Sequence, residues 1–230
     1  MALCKKKRIE IAMKQMLTYS VMLISVAFVG CASGPTPPDW QASVLGATER
    51  ATEAYLTGRS RIEQVEFARA RSDIARTGKA DLIGRVELLR CATRVASLVL
   101  EACEGFDKIA ADAGRAERSY GDFLAGRLKP EDAQNLPAGQ RDVIKGGAQA
   151  IQAISNPLSR LVAAGVLFKM SLADPAVIAL ATETASAQGW SRPLLAWLSV
   201  QLKRAELAGA PDEVARIKRQ IDLVLPKTSQ

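Results

Sequence analysis

The chain has 230 residues, of which 31 are lysine or arginine, 24 are aspartate or glutamate and none is histidine. The lack of histidine excludes Ser-His-Asp and Cys-His hydrolase chemistry and histidine-ligated zinc, and with no other catalytic, metal or cofactor signal we expect a non-enzymatic protein. Residues 1–30 hold five of the cations and one of the anions, which leaves a net charge of +3 for the remainder and gives no argument for nucleic-acid binding.

Residues 1–30 have the composition of a secretory signal peptide. Positions 5–8 are all lysine or arginine, and an uncharged, largely apolar run follows from Met16 to Gly30. Positive residues of this kind are retained on the cytoplasmic side of a membrane. The run has about 15 residues, whereas a stable membrane span needs roughly 20. Length and flanks therefore favour a cleaved signal peptide over a permanent anchor.

The apolar run ends in Phe28-Val29-Gly30-Cys31, which resembles the lipobox of bacterial lipoproteins, although Phe28 departs from the usual leucine. The resemblance implies cleavage between Gly30 and Cys31, with acyl chains on Cys31 as a stable anchor. In the sorting pattern of many Gram-negative lipoproteins, aspartate after the cysteine retains the protein in the inner membrane. Ala32 therefore implies the periplasmic face of the outer membrane. The alternatives are an incidental cysteine after an ordinary signal peptide, and an uncleaved anchor.

A short linker precedes the rest of the chain. Residues 31–38 carry the lipid-bearing cysteine and three prolines, and proline-rich segments favour an extended spacer. Over residues 39–230, alternating strand patterns are scarce and helical apolar spacing dominates. We predict one all-α domain, either an antiparallel helical bundle or a short α-solenoid-like array of helical hairpins. A glycine- and proline-rich segment divides it into candidate halves 39–126 and 147–230.

Cap and breaker residues predict the individual helices. In chain order they cover 39–56, 60–78, 79–110, 116–124, 148–154, 156–171, 174–189, 191–209 and 211–225. Ser60 and Asn156 are expected as N-caps. The second helix is expected to bury a stripe made of Ile62, Val65, Phe67, Ala68 and Ile74. The helix over 79–110 is apolar around more than half its surface, which places it in the middle of the bundle. The last pair is faintly similar to a tetratricopeptide hairpin.

Cys91 and Cys103 are the cysteines that follow Cys31, in a chain bound for an oxidising compartment where disulfides form. If residues 79–110 form one helix, their Cα atoms lie roughly 18 Å apart. A disulfide requires a separation below about 7 Å. The segment between them contains no helix breaker. Two buried thiols are therefore the first expectation, and an internal disulfide is the alternative.

Trp190, Arg192 and Trp197 are a candidate binding surface. Tryptophan and arginine are enriched at binding hot spots, and these three residues lie within two helical turns. The alternative is that they pack between the last helices.

Two groups of charged residues are explained more simply as exposed helix faces than as functional sites. Glu101, Glu104 and Asp107 cluster on the polar side of the long helix. Paired carboxylates carry out glycoside hydrolysis, whereas the alternative is a solvated face. The arginines between positions 59 and 76 alternate with acidic residues, which is typical of an exposed face with ion pairs.

These features predict an outer-membrane-anchored periplasmic lipoprotein that acts as an accessory or scaffold protein. Its expected partners are the membrane, through the lipid, and an envelope protein. We expect no nucleic acid, metal or cofactor. One alternative is a ligand-binding module with a pocket between the C-terminal helices. The other is a cell-wall enzyme that uses carboxylates.

Overall fold

The structure is a computed structural model that describes residues 38–225. The signal peptide over 1–30, the cleavage site at Gly30 and Cys31, and linker residues 31–37 lie outside the described residues. Residues 38–225 contain helices and no strand, so the prediction of an all-α fold is confirmed. None of the helices in this range has the length and hydropathy that a membrane span requires.

Ten α-helices follow one another along the described chain. They are α1 (Asp39–Leu56), α2 (Ser60–Ala75), α3 (Ala80–Ala96), α4 (Glu104–Asp107), α5 (Arg115–Leu124), α6 (Val143–Gln152), α7 (Pro157–Lys169), α8 (Pro175–Ala187), α9 (Ser191–Leu207) and α10 (Pro211–Val224). Two 3₁₀ helices, Pro130–Asn135 and Ala138–Gln140, lie between α5 and α6. Neighbours such as α1 and α2, or α9 and α10, pack as hairpins.

Helix starts follow the capping residues in part. The side chain of Asn156 accepts a hydrogen bond from the backbone N–H of Ser159 at 2.9 Å, which confirms it as the N-cap of α7. Asp174 caps α8 through the N–H of Val177 at 2.8 Å. Ser60 was expected to cap α2, and this is wrong. Ser60 is already the first helical residue, and the preceding residue makes no capping hydrogen bond with its side chain.

Helix α3 is the centre of the bundle and packs against α1, α2, α5 and α7. It crosses α7 very closely, because a Cβ added at Gly165 would overlap the carbonyl oxygen of Val95. The main core joins residues from both candidate halves, including Phe123 and Leu161. Trp197 extends the connection, since its indole N–H donates to a carbonyl at the end of α3. The segments 39–126 and 147–225 therefore share one core.

The single long helix expected over residues 79–110 is wrong. Helix α3 ends at Ala96, and the N–H of Val99 donates to the carbonyl of Arg94 at 2.9 Å, as in a helix terminus that turns back on itself. Leu98 has φ 58°, the left-handed conformation that usually requires glycine at this point. Because leucine is not a breaker residue, the composition of the segment did not predict this end.

The buried face of α2 also differs from the expected stripe. Ile62 and Val65 are exposed, the latter by 62%. The residues of α2 that are buried are Glu63, Phe67, Ala70 and Ile74. Phe67 and Ile74 of the expected stripe are buried, Ala68 is exposed like Ile62 and Val65, and the first buried residue of α2 is a carboxylate.

Candidate functional site

A cleft of about 560 Å³ opens between α2, α3 and the segment 99–108. Its volume lies within the roughly 300–1,000 Å³ of small-molecule sites. Glu87, Arg90 and Arg94 come from one face of α3, where residues three and four apart are neighbours. Helix α2 contributes Arg71 on one side. The segment 99–108 forms the third wall of the cleft. It can do so only because α3 ends at Ala96 and the following chain turns back along the helix.

A disulfide between Cys91 and Cys103 holds this returning segment against α3. The two Cα atoms are 5.6 Å apart although the residues are separated by 12 positions. The bond joins the floor of the cleft to its third wall, because both cysteines line it. The geometric objection to this disulfide rested on the continuous helix, which the structure does not have.

Two buried glutamates fix the orientation of the arginines. Glu63 is 4% exposed, and its Oε1 accepts from Nε of Arg90 at 2.8 Å. A terminal nitrogen of Arg94 lies 3.7 Å from the same oxygen. Glu87 is 8% exposed and accepts from Nε of Arg71 at 2.7 Å. A buried carboxylate is costly unless it is paired, so each arginine is held in place by the charge behind it.

Aromatic rings support the same guanidinium groups. The guanidinium carbon of Arg90 lies 4.1 Å from the ring centroid of Phe67, and that of Arg94 lies 5.1 Å from that of Tyr55. Both distances are within the range of a cation–π interaction. Burial raises the pKa of Tyr55 above 10.0, although the nearby charge of Arg94 acts in the opposite direction. Tyr55 therefore stays neutral at physiological pH and presents an uncharged ring to the guanidinium.

The wall over residues 99–108 carries the opposite charge. Glu101 and Glu104 line the cleft and are exposed. In the part of the chain that the structure describes, neither forms an ion pair within 4.0 Å. Lys108 lies on the same wall, one turn beyond Glu104. Asp107, the third member of the carboxylate group seen in the sequence, is exposed and does not line the cleft.

Gly105 allows this wall to approach α3. A Cβ added at Gly105 would overlap the carboxylate of Glu87. Any larger residue would therefore displace either the short helix α4 or the carboxylate that positions Arg71. Across residues 38–225, no group of three or more histidine, cysteine, aspartate or glutamate side chains is arranged to hold a metal ion.

The tryptophans proposed as a binding surface do not line the cleft: Trp190 lies where α9 begins beside α1, and Trp197 lies against α3 and α7. Trp197 is fully buried, so it contributes packing and no ligand-accessible surface. The indole N–H of Trp190 donates to Glu53 at 3.2 Å. Nε of Arg192 donates to the carbonyl oxygen of Tyr55 at 2.7 Å, and its guanidinium carbon lies 4.4 Å from the Tyr55 ring centroid. A binding role for the half-buried Trp190 and Arg192 stays a prediction.

The inference from sequence missed the residues that organise the cleft, namely Glu63, Glu87, Arg90 and Arg94. One signal was present. Glu63 lies four positions before Phe67 and therefore on its face of the helix, which is the face that proved to be buried. A carboxylate at such a position requires a cationic partner from another helix. Arg90 and Arg94, one turn apart on the central helix α3, supply that partner.

No protein-family model matches the chain, and no curated protein or solved structure matches it either.

Proposed function

We propose that this chain is a lipid-anchored accessory protein of the bacterial envelope that binds a partner without chemical conversion. Cys31 would carry the lipid and hold the helical domain at the periplasmic face of the outer membrane. The observation that carries the binding role is the cleft in which Arg71, Arg90 and Arg94 are fixed by buried glutamates.

Rigid positioning of charged groups favours binding. An arginine that is already held in its bound geometry loses less side-chain entropy when a ligand arrives. Its planar fork of N–H donors suits carboxylate and phosphate groups. The sulfur atoms of Cys91 and Cys103 in the cleft are bonded to each other. In this oxidised state neither of them can act as a thiolate nucleophile.

Two measurements test the proposal. Intact mass and membrane fractionation compare the wild type with Cys31→Ser. We expect the wild type to lose residues 1–30, gain acyl mass and fractionate with the outer membrane, whereas the variant keeps residues 1–30. Retention of both forms at full length in the inner membrane would refute the lipid anchor on Cys31.

The second measurement places a photocrosslinking amino acid at Ala102, an exposed residue on the wall of the cleft. We expect a discrete adduct in intact cells that disappears when Arg94→Gln is added. A matched probe at Ala208, exposed beyond the end of α9, is the control. Equal adducts at both positions, or adducts that ignore Arg94, would contradict a partner site in the cleft.

A second candidate function is the ligand-binding module predicted from the sequence, with its pocket between the C-terminal helices. A groove of about 380 Å³ lies between α8 and α10, with Leu194, Leu198 and Leu223 among its lining residues. Leu223 is 85% exposed and is one of the residues that line this groove. A fluorescent apolar probe that binds the wild type and not Leu223→Ser would favour this function. Equal fluorescence with both proteins would remove it.

A further inference from the structure

We infer that the cleft takes a small zwitterionic ligand of the amino-acid or short-peptide class. The carboxylate of the ligand would meet Arg90 and Arg94 of α3, and its ammonium group would meet Glu101 and Glu104. This inference rests on the proposed function in one respect, because it names the chemistry that the partner or ligand presents to the cleft.

The arginine side of the cleft is suited to a carboxylate. Arg71 and Arg90 bond their buried glutamates through Nε, which is one of five N–H donors on a guanidinium. The terminal amino groups provide the pair of parallel donors that binds a carboxylate in two places. Arg94 contacts Glu63 at a longer distance, 3.7 Å, so a ligand carboxylate can compete for it. We therefore assign the ligand carboxylate to Arg90 and Arg94.

The opposite wall is suited to an amine. Glu101 and Glu104 lie on the wall formed by residues 99–108, whereas the arginines come from α2 and α3, and neither glutamate has a cationic partner within 4.0 Å among the described residues. An ammonium group has three donors and forms charge-assisted hydrogen bonds with carboxylates. Lys108 on the same wall is available for a second carboxylate, so an acidic dipeptide satisfies all three sets of charges.

The charge balance argues against a simple anion. Glu63 and Glu87 offset much of the positive charge of the arginines in front of them. Two more carboxylates on the wall over residues 99–108 would repel an approaching phosphate, or a dicarboxylate that lacks an amine. A ligand with both signs of charge is attracted by each wall. The cleft would therefore discriminate a zwitterion from a simple anion by attraction to one and repulsion of the other.

Isothermal titration calorimetry of the purified mature chain tests the assignment with three probes. Glycyl-glutamate carries a free amine and two carboxylates, N-acetyl-glycyl-glutamate lacks the amine, and inorganic phosphate is a simple anion. We expect glycyl-glutamate to bind with a dissociation constant of about 1 mM or tighter. Acetylation should weaken binding about tenfold, which corresponds to the loss of one charge-assisted hydrogen bond.

Two variants test which wall of the cleft binds the amine of the probe and which binds its carboxylate. Glu101→Gln should weaken glycyl-glutamate about tenfold and leave the acetylated probe unchanged, because the same contact is already lost. Arg94→Gln should weaken both peptides. Glu101 is exposed, so its substitution tests the ligand without disturbing the core. Arg219→Gln, on an exposed position of α10, is the matched control and should bind like the wild type.

Several results would overturn the inference. They are the failure of glycyl-glutamate to bind, equal binding of the acetylated probe, equal binding of phosphate, and equal binding by Glu101→Gln. The test is separable from that of the proposed function. If the peptide does not bind but Cys31 is acylated and the Ala102 adduct persists, only the ligand class is wrong. If the peptide binds but Cys31 is not acylated, the envelope anchor is wrong and the ligand class stands.

Discussion

Removing the disulfide between Cys91 and Cys103 should destabilise the domain by a calculable amount. The bond closes a loop between residues separated by 12 positions. In the chain-entropy model, a loop of this size stabilises the folded state by about 3 kcal/mol. For a domain of this size, 1 kcal/mol changes Tm by roughly 2–4 °C, so we expect a fall of about 6–12 °C.

The assay is thermal unfolding, followed by circular dichroism, of the wild type with and without reductant and of the double variant Cys91→Ala, Cys103→Ala. Reduction should lower Tm of the wild type and leave that of the double variant unchanged. Hydrogen exchange should show the loss of protection concentrated in residues 97–108. An unchanged Tm after complete reduction would refute the claim that the cross-link stabilises this segment. A loss of protection spread evenly over all helices would contradict the local role.

Three further predictions follow from individual contacts. Gly165→Ala should lower the free energy of unfolding by about 1–3 kcal/mol, because the new methyl group meets helix backbone that cannot move aside. The measurement is urea unfolding, and its control is Gly139→Ala, whose Cβ meets only side-chain atoms, the nearest at 3.5 Å. Glu63→Gln should cost about 1–3 kcal/mol, since it leaves partly buried guanidinium groups without their carboxylate, whereas Glu213→Gln in an exposed pair should leave the urea midpoint unchanged. Burial raises the pKa of Tyr55 above 10.0, so its contribution to stability is complete below pH 10 and is lost as pH rises further; spectrophotometric titration that finds all tyrosines ionising at an ordinary pKa would contradict this.

The sequence predicted most helix boundaries because local chemistry determines them. Asn156 and Asp174 satisfy free N–H groups at helix starts, and a proline follows each in the first turn. These interactions extend over only three or four residues, so they are visible in the chain. The all-α class and the central position of α3 followed from the same apolar periodicity.

Tertiary structure overrode local signals at two places. Leu98 adopts a conformation normally reserved for glycine, and the side chain packs partly against the core. Glu63 is buried although the alternating charges of its segment predicted an exposed face, because Arg90 reaches it from another helix. Both effects depend on residues distant along the chain. The cleft was therefore not predictable from sequence, since its walls meet only after α3 ends and the segment 99–108 returns.

The hydrogen bond from Trp197 to Ala96 joins residues 101 positions apart, and this bears on the order in which the protein can fold. Contacts over such a distance form late, because loop closure must precede them. During synthesis, α3 is complete before α7 and α9 have been made. Helix α3 thus lacks the helices that cover it until nearly half the length of the chain has been added. The core of the domain therefore closes only once these C-terminal helices are available.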